Sequence, residues 1–233
     1  MENYLKISEV EKARLITLVR RAIEGGSSAI RMAFGGELLE RGIGFKATVL
    51  GIEYLVSVID EDVEASFADP LRREVDAHKV ITYMVNALER VLADRIIRYR
   101  GCLVGIGQLR GGSSAHLYER RMTNYLAVEL DSSSLQEVER AVKALGGCMI
   151  DHPTATWSFE ISPLNGLRVA VMFWQGEEGI PSGASILFGE EAIDAGIPIE
   201  EITVITEMIV DRFVAFYRRE SGRKPRLFKS LYL

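Results

Sequence analysis

The stretch from Leu167 to Phe188 constrains the fold of this chain more than any other part of its sequence. It reads LRVAVMFWQGEEGIPSGASILF, in which a strand-like apolar run breaks at a Gly/Glu/Pro corner and then resumes as a second apolar run. Just before it, SPLNG separates this run from an earlier apolar segment at 157–161. An Asn-Gly pair tolerates the positive φ angles of a tight hairpin turn. We therefore predict a β-hairpin with strands at 157–161 and 167–174.

Two Ser-x-x-Glu sequences mark the starts of amphipathic helices. Ser8 and Ser134 each precede apolar residues at helical spacing, and Glu11 and Glu137 stand three residues after them. In such a capping box the serine hydroxyl accepts a hydrogen bond from the glutamate N–H, and the carboxylate accepts one from the serine N–H. Glycine pairs are expected to end both helices because glycine favours the helix C-terminus. These pairs are residues 25–26 and 146–147.

Two more helices are predicted from periodicity. Apolar residues recur on one face of residues 74–92, which predicts an amphipathic helix there. Pro198 is expected to open a last helix that runs to about Arg218. The apolar surface of that helix is so broad that we expect it to be buried on more than one side.

The remaining segments complete the predicted architecture. We expect two antiparallel strands within 43–59 around Gly51, an acidic loop over 60–70, a strand over 95–108, a short helix over 113–124 and a strand over 125–130. The fold class is therefore α+β, with antiparallel β-hairpins packed against four to five helices and the long C-terminal helix central. The predicted parts are an N-terminal helical and hairpin part (1–93), a C-terminal α+β part (94–218) and a basic tail (219–233). Fraying is the simplest interpretation of the tail, and docking of Leu227, Phe228 and Tyr232 is the alternative.

Charge and cysteine content exclude several classes of function. The net charge of −5 gives no general attraction to a phosphate backbone, so nucleic acid is not expected as a partner. Charges at Glu2 and Lys6 interrupt any signal-peptide core, and no apolar run is long enough to span a membrane. Cys102 and Cys148 are too few for a disulfide framework and have no metal-binding spacing. We therefore predict a cytoplasmic protein without a metal site, and no strong motif encodes a cofactor.

Three motifs together resemble a known protein family. They are GQLRGGSSAHLYERR before residue 122, the corner sequence after Trp174, and IEEITVITEMIVDRF from residue 199. On these residues the chain resembles domain of unknown function 3786, over roughly 28–218. The family is spread among anaerobic bacteria and archaea and has no assigned activity. Some members resemble fusions to a four-cysteine iron–sulfur domain of corrinoid methyl-transfer proteins. The resemblance therefore suggests a link to corrinoid or one-carbon chemistry, although this chain lacks that domain.

The chain departs from the family pattern at two positions. Glu177 and Gly189 stand where the family favours Asp. A metal-binding or acid–base role that depended on those two aspartates could not be carried over unchanged, and this lowers the expectation of an enzyme.

The glycine-rich loop before residue 116 is the best candidate for binding an anion. Backbone N–H groups at a helix start, serine hydroxyls and arginines can together hold a phosphate or carboxylate. The candidate residues are Arg110, Gly111, Gly112, Ser113, Ser114 and Arg121. A dinucleotide or S-adenosylmethionine site is an alternative, with Glu129 and Asp131 at the end of the next strand. Against this alternative, the glycine spacing is one residue longer than in the dinucleotide-binding motif. The simplest interpretation is a capped helix after a glycine-rich loop.

Catalytic candidates are weak. His116 neighbours the glycine-rich loop and can serve as a general acid or base. Glu177 and Glu178 form an acidic pair, but adjacent residues of an extended segment point to opposite faces, so a solvated turn is the better interpretation. The enzyme hypothesis requires the side chains of Arg110, Ser113, His116 and Glu177 to converge on one pocket.

The corner after Trp174 is the candidate protein interface. Large apolar residues gathered beside acidic ones would leave an exposed patch there. The candidates are Phe173, Trp174, Glu178, Ile180, Pro181 and Phe188.

The sequence leads to three hypotheses of function. The first is a binding or accessory protein of anaerobic metabolism, whose partner is a protein or a small anionic ligand. The second is an enzyme acting on a phosphorylated or carboxylated small molecule. The third is a structural subunit whose last helix and basic tail dock on a larger complex, so that removing 219–233 would abolish co-purification while the fold survives. A homodimer is left open, and no membrane partner is expected.

Overall fold

The computed structural model describes residues 3–5, 7–24, 28–39, 43–59 and 62–227. The chain divides into two compact units. One takes in Met1–Ile97 and Pro163–Asn165, and the other takes in Arg98–Ser162 and Gly166–Leu233. The predicted domain limits at residues 93/94 and 218/219 stay a prediction.

The first unit is a five-stranded antiparallel sheet with three helices. Its elements are β1 (Asn3–Tyr4), α1 (Glu9–Glu24), α2 (Ser28–Phe34), β2 (Glu37–Leu38), β3 (Ile43–Val49), β4 (Ile52–Ile59), β5 (Asp62–Ala68) and α3 (Glu74–Leu92). The strand order is β1-β5-β4-β3-β2. Burial alternates along β4, so one face of the sheet joins the core. At this face the Tyr54 hydroxyl donates to the Ala77 carbonyl of α3 over 3.0 Å.

Most sequence predictions for this unit are confirmed. The Glu11 N–H donates to Ser8 Oγ over 3.3 Å, as the capping box requires. The helix over 74–92 and the two strands around Gly51 are also present. The predicted helix end at 25–26 lies outside the described residues. The acidic loop over 60–70 is wrong for 62–68, which form β5. Val63, Ala65 and Phe67 are buried there while Asp62 and Glu64 are exposed, so the charges mark the solvent face of a strand.

The second unit is another five-stranded antiparallel sheet with three helices. Its elements are β6 (Leu103–Val104), α4 (His116–Glu129), α5 (Leu135–Leu145), β7 (Cys148–Met149), β8 (Trp157–Leu164), β9 (Leu167–Trp174), β10 (Gly183–Gly189) and α6 (Ile199–Ser221), with 3₁₀ turns at Ile106–Gln108, Gly112–Ser114 and Glu190–Ile193. The strand order is β6-β10-β9-β8-β7. The predicted hairpin around Asn165-Gly166 joins β8 to β9, and the first of these strands runs three residues further than predicted.

Helix α6 lies at the centre of this unit. Phe213 has no exposed surface and its ring centroid is 4.6 Å from that of Phe159 in β8. Trp157 of β8 stacks on Phe173 of β9 at 4.7 Å between centroids. The helix also packs against α4 and α5. The predicted α+β fold with a C-terminal helix is thus confirmed, and the described residues form six α-helices rather than four or five.

Two sequence predictions in this unit are wrong. The strand expected over 95–108 is reduced to Leu103–Val104, followed by a 3₁₀ turn. The short helix and strand expected over 113–130 are one continuous helix, α4. Buried Met122, Leu126 and Leu130 recur every four residues, which continues the helical period through the segment that we interpreted as a strand. The βα-strand layout of a dinucleotide site is therefore not formed.

Within the part of the chain that the structure describes, no helix is both long and apolar enough to cross a membrane.

Candidate functional site

A tight, exposed turn connects β9 to β10. The Glu177 N–H donates to the Ile180 carbonyl over 3.0 Å, and the Ile180 N–H donates to the Glu177 carbonyl over 2.9 Å. Gly179 has a φ of 82°, which glycine adopts without strain. Residues paired in this way project their side chains from the same face. Because Ile180 is 64% exposed, the turn presents an apolar side chain beside a carboxylate.

The base of this turn is rigidly held. We call residues 176–182 the corner turn. A Cβ at Gly176 would lie 2.5 Å from the Ile180 carbonyl oxygen, so a larger residue would displace the backbone. The Gly176 N–H donates to Ser182 Oγ over 2.8 Å. Ser182 Oγ in turn donates to Asp131 Oδ1 over 2.7 Å. Gly176 and Ser182 therefore have structural roles in keeping the turn in one conformation.

Asp131 joins three segments of this unit. Besides Ser182, it accepts hydrogen bonds from Gln175 Nε2 at 2.8 Å and from Arg226 Nη1 at 3.0 Å. Gln175 Oε1 also accepts from the Ser132 N–H at 2.8 Å. The hydrogen bonds from Ser182, Gln175 and Arg226 lower the pKa of Asp131 to about 2. Its carboxylate is therefore ionised at neutral pH and ties the loop after α4 to the corner turn and to the C-terminal segment.

Glu129 holds the C-terminal segment against the end of α4. Its side chain is 2% exposed, and Arg218 Nε donates to its Oε2 over 3.1 Å. The backbone N–H groups of Arg226 and Leu227 donate to the other carboxylate oxygen, Oε1, over 3.0 and 2.7 Å. Three donors thus compensate a buried negative charge.

The fraying predicted for the basic tail does not occur at 223–227. Arg223 Nη1 donates to the Asp131 carbonyl over 3.0 Å, and Arg226 Nη1 donates to the Val128 carbonyl over 3.2 Å. Both guanidinium groups thus lie at the C-terminal end of α4, where the helix dipole favours positive charge. Removing 219–233 would strip these partners from Glu129 and Asp131, so we no longer expect an intact fold from that truncation.

The glycine-rich loop at the other end of α4 is shaped by its backbone. Gly111 has a φ of 81°. A Cβ at Gly112 would lie 1.7 Å from the Ile106 carbonyl oxygen, so this position accepts only glycine. Ser114 Oγ donates to the Gly111 carbonyl over 2.9 Å and does not cap α4. The other predicted ligand residues with side chains are exposed and have no side-chain partner among the described residues. They are Arg110, Ser113 and Arg121.

His116 interacts with its own helix. Its Nδ1 lies 3.4 Å from Glu119 Oε2, and its side chain is 59% exposed. Its ring lies over Gly107, where a Cβ would approach the ring to 2.8 Å.

The catalytic candidates are not brought together. Helix α4 has 14 residues, so at about 1.5 Å per residue its two ends lie about 20 Å apart. His116 is the first residue of α4, whereas the corner turn that holds Glu177 is bonded to Asp131, beyond the last. One pocket formed by His116, Glu177 and the Gly111 loop is therefore excluded by the geometry of this unit.

The predicted interface residues divide into buried and exposed ones. Phe173 and Phe188 have no exposed surface and belong to the core. They cannot contribute to a surface patch because both side chains are fully buried, and Phe173 stacks on Trp157, which in turn contacts Phe213 of α6. Trp174 is half-buried, and its Nε1 donates to Thr154 Oγ1 over 3.4 Å. The remaining predicted residues, Glu178, Ile180 and Pro181, are exposed.

Sequence reasoning missed a buried ionic cluster around Arg168. Arg168 is 5% exposed, and its Nε donates to Glu191 Oε1 over 2.8 Å. Its other donors reach the Tyr99 hydroxyl at 3.1 Å and the Cys102 carbonyl at 2.9 Å. Burial, the largest single influence, would raise the pKa of Glu191, but the hydrogen bonds and charge of Arg168 together with backbone hydrogen bonds outweigh it, and the pKa is lowered. The sequence signal for this cluster was Arg168 itself, a charged residue inside the otherwise apolar strand β9.

This cluster also leaves no room for a side chain at position 189. A Cβ at Gly189 would lie 2.0 Å from Glu191 Oε1. The Glu191 carboxylate therefore occupies the space that any larger residue at 189 would need.

Metal-binding geometry is not found in the described ranges. No group of three or more His, Cys, Asp or Glu side chains is placed there to hold a metal ion. Cys102 and Cys148 are both free and exposed. Burial, and to a lesser degree the nearby Glu160 carboxylate, raises the pKa of the Cys148 thiol.

Comparison with known proteins gives one match. No curated protein matches the chain, and no solved structure does. The model of a family described as Domain of unknown function (DUF3786) matches residues 28–212, well over half of the 233 residues. The corner turn, Asp131 and the Arg168 cluster all lie within the matched range, and the chain belongs to the DUF3786 family.

Proposed function

We propose that this protein is a protein-binding accessory module that recognises its partner through the corner turn and Trp174. The observation that carries the proposal is the exposed Ile180 on a turn that Asp131, Gln175 and Ser182 hold in one conformation. A rigid loop loses little conformational entropy when it binds, so more of its contact energy appears as affinity. An isolated apolar residue on such a loop is typical of an anchor that inserts into a partner's pocket.

The chemistry of the turn defines the expected partner surface. Glu177 and Glu178 are exposed, and neither carboxylate has a hydrogen bond or ion pair among the described residues. We therefore expect the partner surface to have an apolar pocket for Ile180 and Lys or Arg side chains at the edge of that pocket. Charge pairs at such an edge increase the association rate more than the affinity, and the rate falls as salt is added.

The enzyme hypothesis is less well supported. Its requirement was convergence of Arg110, Ser113, His116 and Glu177, and these residues lie at two ends of α4. The link to corrinoid or one-carbon chemistry in the cytoplasm of anaerobes remains part of the proposal, and it identifies where a partner should be sought.

The test is anoxic affinity capture from an anaerobic host, followed by reconstitution with the purified partner. We expect Ile180→Asp to raise the Kd at least about tenfold because it places a charge in an apolar pocket. The matched control is Ile96→Asp, since Ile96 is 47% exposed and lies far along the sequence from the turn. This control should leave the Kd unchanged. Glu177→Lys should slow association and reduce its salt dependence.

Two outcomes contradict the proposal. One is a purified partner that binds the Ile180→Asp variant as tightly as the wild type. The other is native mass spectrometry that finds a bound anion and no protein partner, which would favour the Gly111 loop as a ligand site.

A further inference from the structure

A second exposed surface lies between α4 and α6, on residues that the corner turn does not use. Two adjoining hollows of about 40 and 160 Å³ follow the line between these helices and share Tyr118 and Glu207. Tyr118, which borders both hollows, is 49% exposed, and Leu117, the residue before it in α4, is 74% exposed. Apolar side chains this exposed, next to an unfilled apolar groove, are typical of a surface that is covered in an assembly.

The two walls of this groove carry opposite charges. Arg120 and Arg121 are exposed on α4, and Glu200 and Glu207 are exposed on α6. None of these four side chains has a hydrogen bond or ion pair within the described ranges. An apolar groove with one basic and one acidic wall is complementary to another surface of the same design.

The direction of the helices makes this surface complementary to itself. The start of α4 borders the start of α6, since Ser114 and Ile199 line one hollow, and Tyr125 and Asp211 line the other. The two helices therefore run parallel. A two-fold axis that lies in this face and runs along the groove places α4 of one protomer over α6 of its partner, with the two helices parallel. Arg121 and Glu207 border the same hollow and so lie at the same height along the groove, which means that this axis brings Arg121 to Glu207 of the partner subunit, and the reverse.

We propose that the α4–α6 face is the interface of a two-fold symmetric homodimer. Leu117 and Tyr118 of each protomer enter the groove of the other. The arginines of α4 pair with the glutamates of the partner's α6, twice per interface. This inference does not depend on the proposed function because the corner turn lies beyond the opposite end of α4.

The experiment is sedimentation equilibrium of the full chain over about 1–100 μM, a range that covers the Kd of a moderate dimer. We expect the wild type to show twice the chain mass of 26.0 kDa. Arg121→Glu and Glu207→Arg should each raise the dimer Kd at least about tenfold, because each places like charges opposite one another. The double variant should restore the wild-type Kd. Leu117→Asp should give a monomer.

The controls separate loss of assembly from loss of fold. Lys143→Glu reverses an exposed charge on α5 and should leave the dimer unchanged. Every variant should keep the wild-type circular dichroism spectrum, since each substituted side chain is exposed. A wild type that is monomeric throughout overturns the proposal. So does a dimer that both single variants leave intact, or a double variant that fails to recover. A monomer that carries a different protein, lost on Leu117→Asp, would assign this face to that protein instead.

Discussion

The two ends of α4 both border a glycine-rich loop, but they are built in different ways. At the C-terminal end, the carboxylates of Glu129 and Asp131 accept hydrogen bonds from the corner turn and the C-terminal segment. At the N-terminal end, backbone contacts shape the loop, and the side chains of Arg110 and Ser113 have no partners among the described residues. A glycine-rich sequence therefore does not by itself indicate a binding loop. What distinguishes the corner turn is the set of charged groups that hold it.

The largest expected effect comes from removing the buried carboxylate at the C-terminal end. Glu129→Ala leaves Arg218 and the N–H groups of Arg226 and Leu227 without their acceptor. We expect the free energy of unfolding to fall by about 3–5 kcal/mol, as when one partner of a buried ion pair is lost. Urea denaturation measures this change. Glu139→Ala on the exposed face of α5 is the control and should stay within about 0.5 kcal/mol. A loss below about 1 kcal/mol for Glu129→Ala would mean that the Glu129 carboxylate does not stabilise the C-terminal end of α4.

A smaller effect is expected at the N-terminal end, and its cause is steric. Gly112→Ala introduces a Cβ 1.7 Å from the Ile106 carbonyl oxygen. The backbone must move, so we expect a loss of about 1–3 kcal/mol by urea denaturation. Gly105 is the matched control because a Cβ there meets nothing within 4 Å. Gly105→Ala should be neutral, or stabilising by up to about 1 kcal/mol, since alanine has less conformational freedom in the unfolded chain. Equal effects of the two substitutions would contradict a steric role for Gly112.

The smallest effect should depend on pH. The pKa of Asp131 is lowered from 3.8 to about 2 in the folded protein. A depressed pKa contributes stability that is complete above pH 3.8 and is lost as the pH falls through about 2. Because the side chain is 40% exposed, solvent screening reduces this contribution to about 1 kcal/mol.

Asp131→Asn should remove that contribution. We expect the variant to be less stable than the wild type at pH 7 by about 1 kcal/mol, with the difference shrinking between about pH 4 and pH 2. Urea denaturation at several pH values measures both curves. Asp151→Asn, an exposed position, is the control and should give no pH-dependent difference. A constant difference at every pH would show that the Asp131 hydrogen bonds, and not its charge, stabilise this end.

Local sequence patterns predicted much of the fold. The Ser8 and Ser134 capping boxes and the Asn165-Gly166 hairpin form as expected, because each depends on groups a few residues apart. The errors fell where burial is decided elsewhere in the chain. Residues 62–68 contain two acidic positions, Asp62 and Glu64, and suggested a loop, yet they pair with β1 and β4. Tyr125–Leu130 has strand-like composition, but its buried positions follow the period of a helix.

The candidate site was predicted only in part. The unusual composition of 176–181 identified the corner, and Glu178, Ile180 and Pro181 are indeed at the surface. Phe173 and Phe188 are apolar neighbours of the corner and were therefore assigned to the interface, but both are fully buried and belong to the core. Nothing near Asp131 in the sequence indicates that its carboxylate organises this site. Its partners Ser182 and Arg226 lie 51 and 95 residues further along the chain.

The sequence by itself determined the helices with capping boxes, the β8–β9 hairpin, the α+β class and the family. These follow from apolar periodicity, from short-range hydrogen bonds and from the conformational freedom of glycine, all of which are properties of neighbouring residues. Only the tertiary structure decided that Glu129 and Asp131 anchor the C-terminal segment, that His116 and Glu177 lie at different ends of α4, and that Arg168 is neutralised by Glu191. The physical reason is that a charged side chain is stabilised by whatever groups folding brings within about 3 Å of it, and those groups come from distant parts of the chain.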